Sequence, residues 1–141
     1  MSFEKIDLDN NIRPKGKTCI LIYGYSEKEI EIISKYAEKI GIKSIINVKD
    51  KIDLTLEELI NNVKKDSLEN NLEIDSKVIV LNAVSNKELN DFVHHFKTLN
   101  LGKPFFAMVT ETSKKWKFKN LVNELKAEKE AFEKMKKSNR R

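Results

Sequence analysis

The side chains best placed to do chemistry in this 141-residue chain fall into three sets. Tyr25, Ser26, Asn82, Thr110, Glu111 and Thr112 each follow closely on a short apolar run. If those runs are strands of an open parallel sheet, these residues rim its carboxyl ends, where such sheets bind ligands. Hydroxyls, an amide, a carboxylate and free N–H groups at helix starts suit a phosphate or a small polar ligand. Lys114, Lys115, Lys117 and Lys119 are interleaved with Trp116 and Phe118. Lysines neutralise phosphate backbones and aromatic rings stack on bases, so this cluster is the candidate for nucleic-acid or anion binding. Phe132 and Met135, three residues apart in a charged C-terminal stretch, are the candidate contacts for a partner helix or a second copy of the chain.

Each set has a plainer reading. Ser26 and Ser85 serve as helix caps in any βα repeat, Gly24 as a turn and Thr110–Ser113 as a solvated loop. Trp116, Phe118, Leu121, Val122 and Leu125 fit a helix face packed on a sheet, which makes the aromatics core residues. No GxGxxG or GxxxxGK[ST] occurs, so neither phosphate cradle is present. His94 and His95 are adjacent on a predicted helix and point about 100° apart, so they cannot share a metal as an i,i+4 pair could. The single cysteine, Cys19, lies inside an apolar run, where a buried thiol is the ordinary outcome. No catalytic set, metal or cofactor is implied.

The elements that must position these residues are legible from the apolar pattern. Thr18–Tyr23, Lys77–Leu81 and Pro104–Thr110 are continuous apolar runs too short for helices, and Lys43–Val48 is a weaker fourth. Ser26-Glu27-Lys28-Glu29, Thr55-Leu56-Glu57-Glu58 and Ser85-Asn86-Lys87-Glu88 each match the capping box and each open an apolar run of helical period. A fourth helix runs from Trp116 to about Lys137. The order β-α-β-α-β-α-β-α with continuous apolar strands predicts a three-layer α/β fold. Its sheet is expected to be four-stranded and parallel, in the order 2-1-3-4, a truncated flavodoxin-like arrangement with helices on both faces. Residues 1–16 read as a polar arm, 17–125 as one α/β domain and 126–141 as a basic helical extension. Asp66–Asp75 reads as a long loop or an irregular turn of helix, and no internal repeat is visible.

Charge separates the body from its tail. Residues 111–141 hold eleven Lys and Arg against five Glu, whereas residues 1–110 hold sixteen basic and seventeen acidic residues. No apolar run approaches the ~20 residues needed to span a bilayer. The N-terminus lacks the basic-then-apolar order of a secretory signal, so a cytoplasmic protein is expected. Phe118, Leu121, Leu125, Phe132 and Met135 share one stripe of the C-terminal helix, interrupted by Glu128. That helix, at ~30 Å, is longer than a six-residue strand of ~20 Å, so its last turns should overhang the sheet.

Residues 101–125, Leu-Gly-Lys-Pro-Phe-Phe-Ala-Met-Val-Thr-Glu-Thr-Ser-Lys-Lys-Trp with Phe118, Leu121 and Leu125, carry a resemblance. They are similar to a small bacterial family of unknown function in which a Gly-Lys-Pro strand leads to Thr-Glu, a Trp and a Leu-rich helix. The resemblance implies no activity. Lys117 follows the Trp directly, where a helix-capping hydroxyl would be natural. A looser similarity links Asn82 and Thr110 to the strand ends of signalling receiver domains, without the phosphorylated acid. The functional expectation is a non-catalytic module acting through protein association or self-association. The alternative is nucleic-acid or anionic-ligand binding by the basic C-terminal segment.

Overall fold

Four strands form one sheet in the order β2-β1-β3-β4: β1 is Cys19–Tyr23, β2 Ile45–Asn47, β3 Val78–Asn82 and β4 Phe105–Met108. The computed structural model describes residues 12–49, 51–63 and 76–138. The expected loop at Asp66–Asp75, most of the expected arm and the last three residues lie outside them. Helices α1 (Glu27–Ile40), α2 (Leu56–Ile60), α3 (Asn86–Phe96) and α4 (Phe118–Ser138) alternate with the strands. A 3₁₀ turn, Lys97–Leu99, extends α3, and another, Ser113–Lys115, precedes α4. Among the described residues no helix is long and apolar enough to cross a membrane.

The three capping boxes form as the sequence predicts. Ser26, Thr55 and Ser85 each accept a hydrogen bond from the backbone N–H of Glu29, Glu58 and Glu88, whose carboxylates accept one in return from the cap N–H. Each box satisfies two helix-end groups that would otherwise be left unpaired, which fixes where the helix starts.

The strand order is as expected, but the sheet is mixed rather than all parallel. β1 pairs with β2 and β3 with β4 in parallel, whereas β1 and β3 pair antiparallel over five residues, from Cys19 opposite Asn82 to Tyr23 opposite Val78. The crossover rule applies where a helix returns the chain directly to a parallel neighbour. Here α2 ends at Ile60, beside Asn82 and Thr110 at the carboxyl ends of β3 and β4. Ser76 and Lys77 instead lie against Gly24, at the opposite end of the sheet. β3 therefore starts where β1 finishes, with Val78 opposite Tyr23.

This reversal makes the strand pattern symmetric about the β1–β3 pair. Each half runs strand, helix, parallel strand, helix. Gly24 and Ala83 both take positive φ after the first strand of their half, and Gly41 and Asn100 both do so after the first helix. Ser26-Glu27-Lys28-Glu29-Ile30 and Ser85-Asn86-Lys87-Glu88-Leu89 then occupy equivalent places. α1 and α3 share one face, where Ile33, Ala37, Phe92 and Phe96 pack on Ile20, Ile22, Ile79 and Leu81. α2 and α4 share the other, where Leu56, Leu59, Phe118 and Val122 pack on Leu21, Val78 and Val80. The expected three layers are therefore present, organised by a two-fold that a search for sequence repeats does not reveal.

Arg13 anchors the chain ahead of β1. Its Nε donates to Glu88 at 2.9 Å and its Nη2 donates to the Gly41 carbonyl at 2.8 Å, so one guanidinium joins the end of α1 to the start of α3. The guanidinium holds the Glu88 carboxyl below the usual carboxylate range. A depressed folded-state pKa stabilises the fold above the unfolded value, and that stability is lost as pH falls through the folded value. Because Arg13 is 41% exposed, solvent screens the pair. Arg13→Ala should cost about 1 kcal/mol at pH 7. Urea denaturation should show this deficit shrinking below about pH 4, as Glu88 is protonated in both proteins.

Candidate functional site

The six residues expected to rim one crevice are divided between the two ends of the sheet. Tyr25 and Ser26 follow β1, while Asn82 ends β3 and Thr110, Glu111 and Thr112 follow β4, strands that run the opposite way. Tyr25 is buried edge-on against Phe96, and burial together with the nearby Glu29 raises its hydroxyl pKa to about 12. Ser26 is occupied as the cap of α1. The antiparallel centre thus breaks the crevice that an all-parallel sheet would have formed.

The other end keeps a cavity of about 360 Å³, lined among others by Lys15, Lys17, Asn61, Asn82, Glu111 and Lys114. Several groups in and around it are engaged with one another. Asn82 Nδ2 donates to the Lys17 carbonyl at 2.8 Å, and the Thr18 hydroxyl donates to the Ala83 carbonyl at 2.6 Å. The Ser113 N–H donates to Thr110 Oγ1 at 3.0 Å, while the Thr110 N–H donates to Ser113 Oγ at 2.9 Å, closing the turn before α4. Thr112 is exposed and makes no capping hydrogen bond. Lys114 lies 2.9 Å from Glu111 and 4.0 Å from Glu57, and its hydrogen bond pulls the Glu111 carboxyl below its ordinary range. The arrangement closes a strand end and offers no acid or base poised near neutral pH from Glu111.

The basic cluster is likewise partly committed. Lys119 meets Asp53, whose side chain is almost fully buried, at 2.8 Å. Lys114 is held as just described. Lys115 and Lys117 are exposed. The interleaved aromatics face inward: Phe118 is fully buried and Trp116 packs half-buried against the same core, which is the structural role expected for them. Backbone pairing explains how α4 starts without a capping hydroxyl after Trp116. Thr55 and Lys117 form an isolated antiparallel bridge. The Phe118 and Lys119 N–H groups donate to the carbonyls of Leu54 and Ile52 at 2.9 and 3.0 Å. Donors that a side chain would normally cap are met by the segment leading into α2.

Along α4, burial ends before the helix does. Phe118, Leu121 and Val122 are buried, Leu125 is half-buried, and every residue from Ala127 to Met135 is exposed. Within this exposed stretch the Lys129 ammonium sits 5.7 Å from the centroid of the Phe105 ring. Phe132 and Met135, beyond it, are 62% and 65% exposed. The expected division at residue 125/126 therefore falls within one continuous helix, at the point where burial gives out.

His94 and His95 are both exposed, and the described residues hold no group of three or more His, Cys, Asp or Glu able to take a metal. Burial pushes the Cys19 thiol pKa up, away from the reactive thiolate. Sequence reasoning missed Arg13, read only as part of a polar arm. It also missed Lys77, Lys103 and Lys129, which line one further cavity with Phe105. No local signal marks either group, because their members come together only through the strand order.

Residues 77–132 match the model of a domain of unknown function (DUF3783), a span that begins just before β3 and ends within the exposed part of α4. A family of unknown function is thus found over a span that includes residues 101–125. No curated protein and no solved structure matches the chain.

If Phe118 is a core residue, Phe118→Ala removes a buried ring and leaves a cavity. Urea denaturation should then show a loss of about 3–5 kcal/mol. Lys115→Gln and Lys117→Gln, on exposed side chains, should each stay within about 0.5 kcal/mol of the parent.

Proposed function

We propose that this chain is a cytoplasmic association module whose outer α4 pairs with a second copy of itself. The observation that carries the reading is the exposure of Phe132 and Met135, two large apolar side chains on the outer turns of α4. At ~1.5 Å per residue, the stretch from Glu130 to Ser138 runs about 13 Å beyond Lys129. On a 3.6-residue period, Phe132 continues the stripe of Phe118, Leu121 and Leu125, and Met135 lies along its border. Those inner residues already pack on the body of the domain, so a helix laid along the outer stripe extends an existing apolar seam.

Charge favours a second copy over an acidic partner. Between Lys126 and Met135 the helix carries three Lys and three Glu, so this stretch is neutral despite the basic tail around it. A neutral, mixed-sign surface meets its own copy without net repulsion, with alternating charges available to flank the apolar contact.

Binding of nucleic acid or another anion by Lys114, Lys115, Lys117 and Lys119 is the alternative. Two of those four ammonium groups are already paired with carboxylates and the adjoining rings are packed inward, which leaves Lys115 and Lys117 to carry it.

Solution mass separates these readings. The full chain should have the mass of a dimer at both 0.1 and 1 M salt, because apolar helix pairing survives screening. Phe132→Glu with Met135→Glu should give a monomer with unchanged circular dichroism, since both side chains are exposed. A monomeric parent chain would overturn self-association.

A further inference from the structure

A cavity of about 520 Å³ opens at the amino-terminal ends of β3 and β4, lined by Ser76, Lys77, Lys103, Pro104, Phe105 and Lys129. Half of these lining residues are lysines, they come from three separate segments, and none of the six is acidic. Unlike Lys114 and Lys119, Lys77, Lys103 and Lys129 have no carboxylate partner among the described residues. Two of the ammonium groups lie over aromatic rings, Lys77 5.2 Å from the Tyr25 centroid and Lys129 5.7 Å from that of Phe105. Such contacts favour particular positions for long, otherwise mobile side chains. The loop comes close as well: Gly102 has φ +86°, and a Cβ there would sit 3.2 Å from Lys77 Nζ. None of the six lining residues offsets the three positive charges, so an anion in the cavity would be attracted to all of them.

All three lysines stand where the internal two-fold is broken. The place of Lys77 before β3 is taken before β1 by Thr18, whose hydroxyl closes onto the Ala83 carbonyl. Between the paired positions of β1 and β2, Ile20 and Ile45 are 25 residues apart. Their counterparts Ile79 and Phe106 are 27 apart, so the Gly102–Lys103 stretch carries two extra residues. Lys129 lies on the part of α4 for which the five-residue α2 has no equivalent. The fold needs none of the three, since the first half is built without them.

We propose that this cavity binds a small organic phosphate. Lys77, Lys103 and Lys129 share its negative charges, while Pro104 and Phe105 contact its carbon skeleton. An ammonium meets phosphate as a point charge, and three from different directions suit a di- or polyphosphate group better than a single carboxylate. The site adjoins the self-association surface, with Lys129 one turn before Phe132, but does not depend on it.

Calorimetry and amide chemical-shift mapping on the full chain test this, with inorganic pyrophosphate and ADP as ligands. Both should bind at 50 mM salt, ADP more tightly, with shifts centred on residues 76–77, 102–105 and 129. Binding should weaken as salt rises. Lys103→Gln with Lys129→Gln, at two exposed positions, should weaken binding by about tenfold or more, as expected for losing two charge-assisted contacts. Lys115→Gln with Lys117→Gln should change it less than twofold, and Phe132→Gln with Met135→Gln, which place no new charge beside Lys129, should leave it intact. No binding of either ligand, or equal losses in the two lysine pairs, would overturn the site. Equal affinity for pyrophosphate and ADP would overturn the role given to Pro104 and Phe105. A single-stranded oligonucleotide that binds more tightly than ADP and shifts the same residues would replace the small ligand with nucleic acid.

Discussion

Everything else in this fold rests on the antiparallel pairing of β1 with β3. Both strands are fully buried over four of their five residues and face helices on both sides. Their backbone groups have no access to water, so pairing with each other is the only way to satisfy them along that edge. The pairing also fixes direction. With β1 and β3 opposed, β2 and β4 become the two outer strands of a symmetric sheet. The first helices of both halves then fall on one face and the second helices on the other. The start of α2 meets the start of α4, where the bridge between Thr55 and Lys117 supplies both helices with backbone partners.

The same pairing bears on the span shared with the domain of unknown function. Residues 77–132 contain β3, α3, β4 and most of α4. Taken alone, that span would leave one edge of β3 without a neighbour and the apolar faces of Val78 and Val80 half covered. An open, apolar edge of this kind must be paired or it will recruit another strand. In this chain the first half provides the pairing through β1, in the same order of elements and with the same Ser-x-Lys-Glu helix start.

The sequence revealed what is local. Capping boxes at Ser26, Thr55 and Ser85 are four-residue chemistry and formed as read. Continuous apolar runs gave the strands to within a residue or two at most ends, and a strand order of 2-1-3-4 followed from their connectivity. Direction was not legible. Apolar continuity shows that a strand is covered on both faces, not which way it runs, and a strand such as Val78–Asn82 reads alike in a parallel or an antiparallel neighbourhood. That one reversal separated Tyr25 and Ser26 from Asn82, Thr110 and Glu111, and so divided the predicted rim. Charge clustering was legible but incomplete in another way. Lys114 and Lys119 are prominent in the sequence, yet Glu111 and Asp53 hold them in the fold. Lys77, Lys103 and Lys129 are inconspicuous in the sequence because each is 26 residues from the next.

In a body built from two equivalent halves, what occurs twice is explained by the fold, and what occurs once needs another account. The strand pairs, the Ser-x-Lys-Glu caps, the positive-φ residues after the first strand and first helix, and the paired helix starts all occur twice. The largest feature that occurs once is the length of α4, twenty-one residues against five in α2. Closing the core requires only its first two turns, through Phe118, Leu121 and Val122, as α2 does with Leu56, Leu59 and Ile60. The remaining turns bury little, and each ordered residue costs about 1–2 kcal/mol of backbone entropy that burial must offset. They also bring Lys129 over Phe105 and leave Phe132 and Met135 exposed. The proposed ligand site at the middle of this helix and the proposed second helix at its end both rest on that added length, which closing the core does not require.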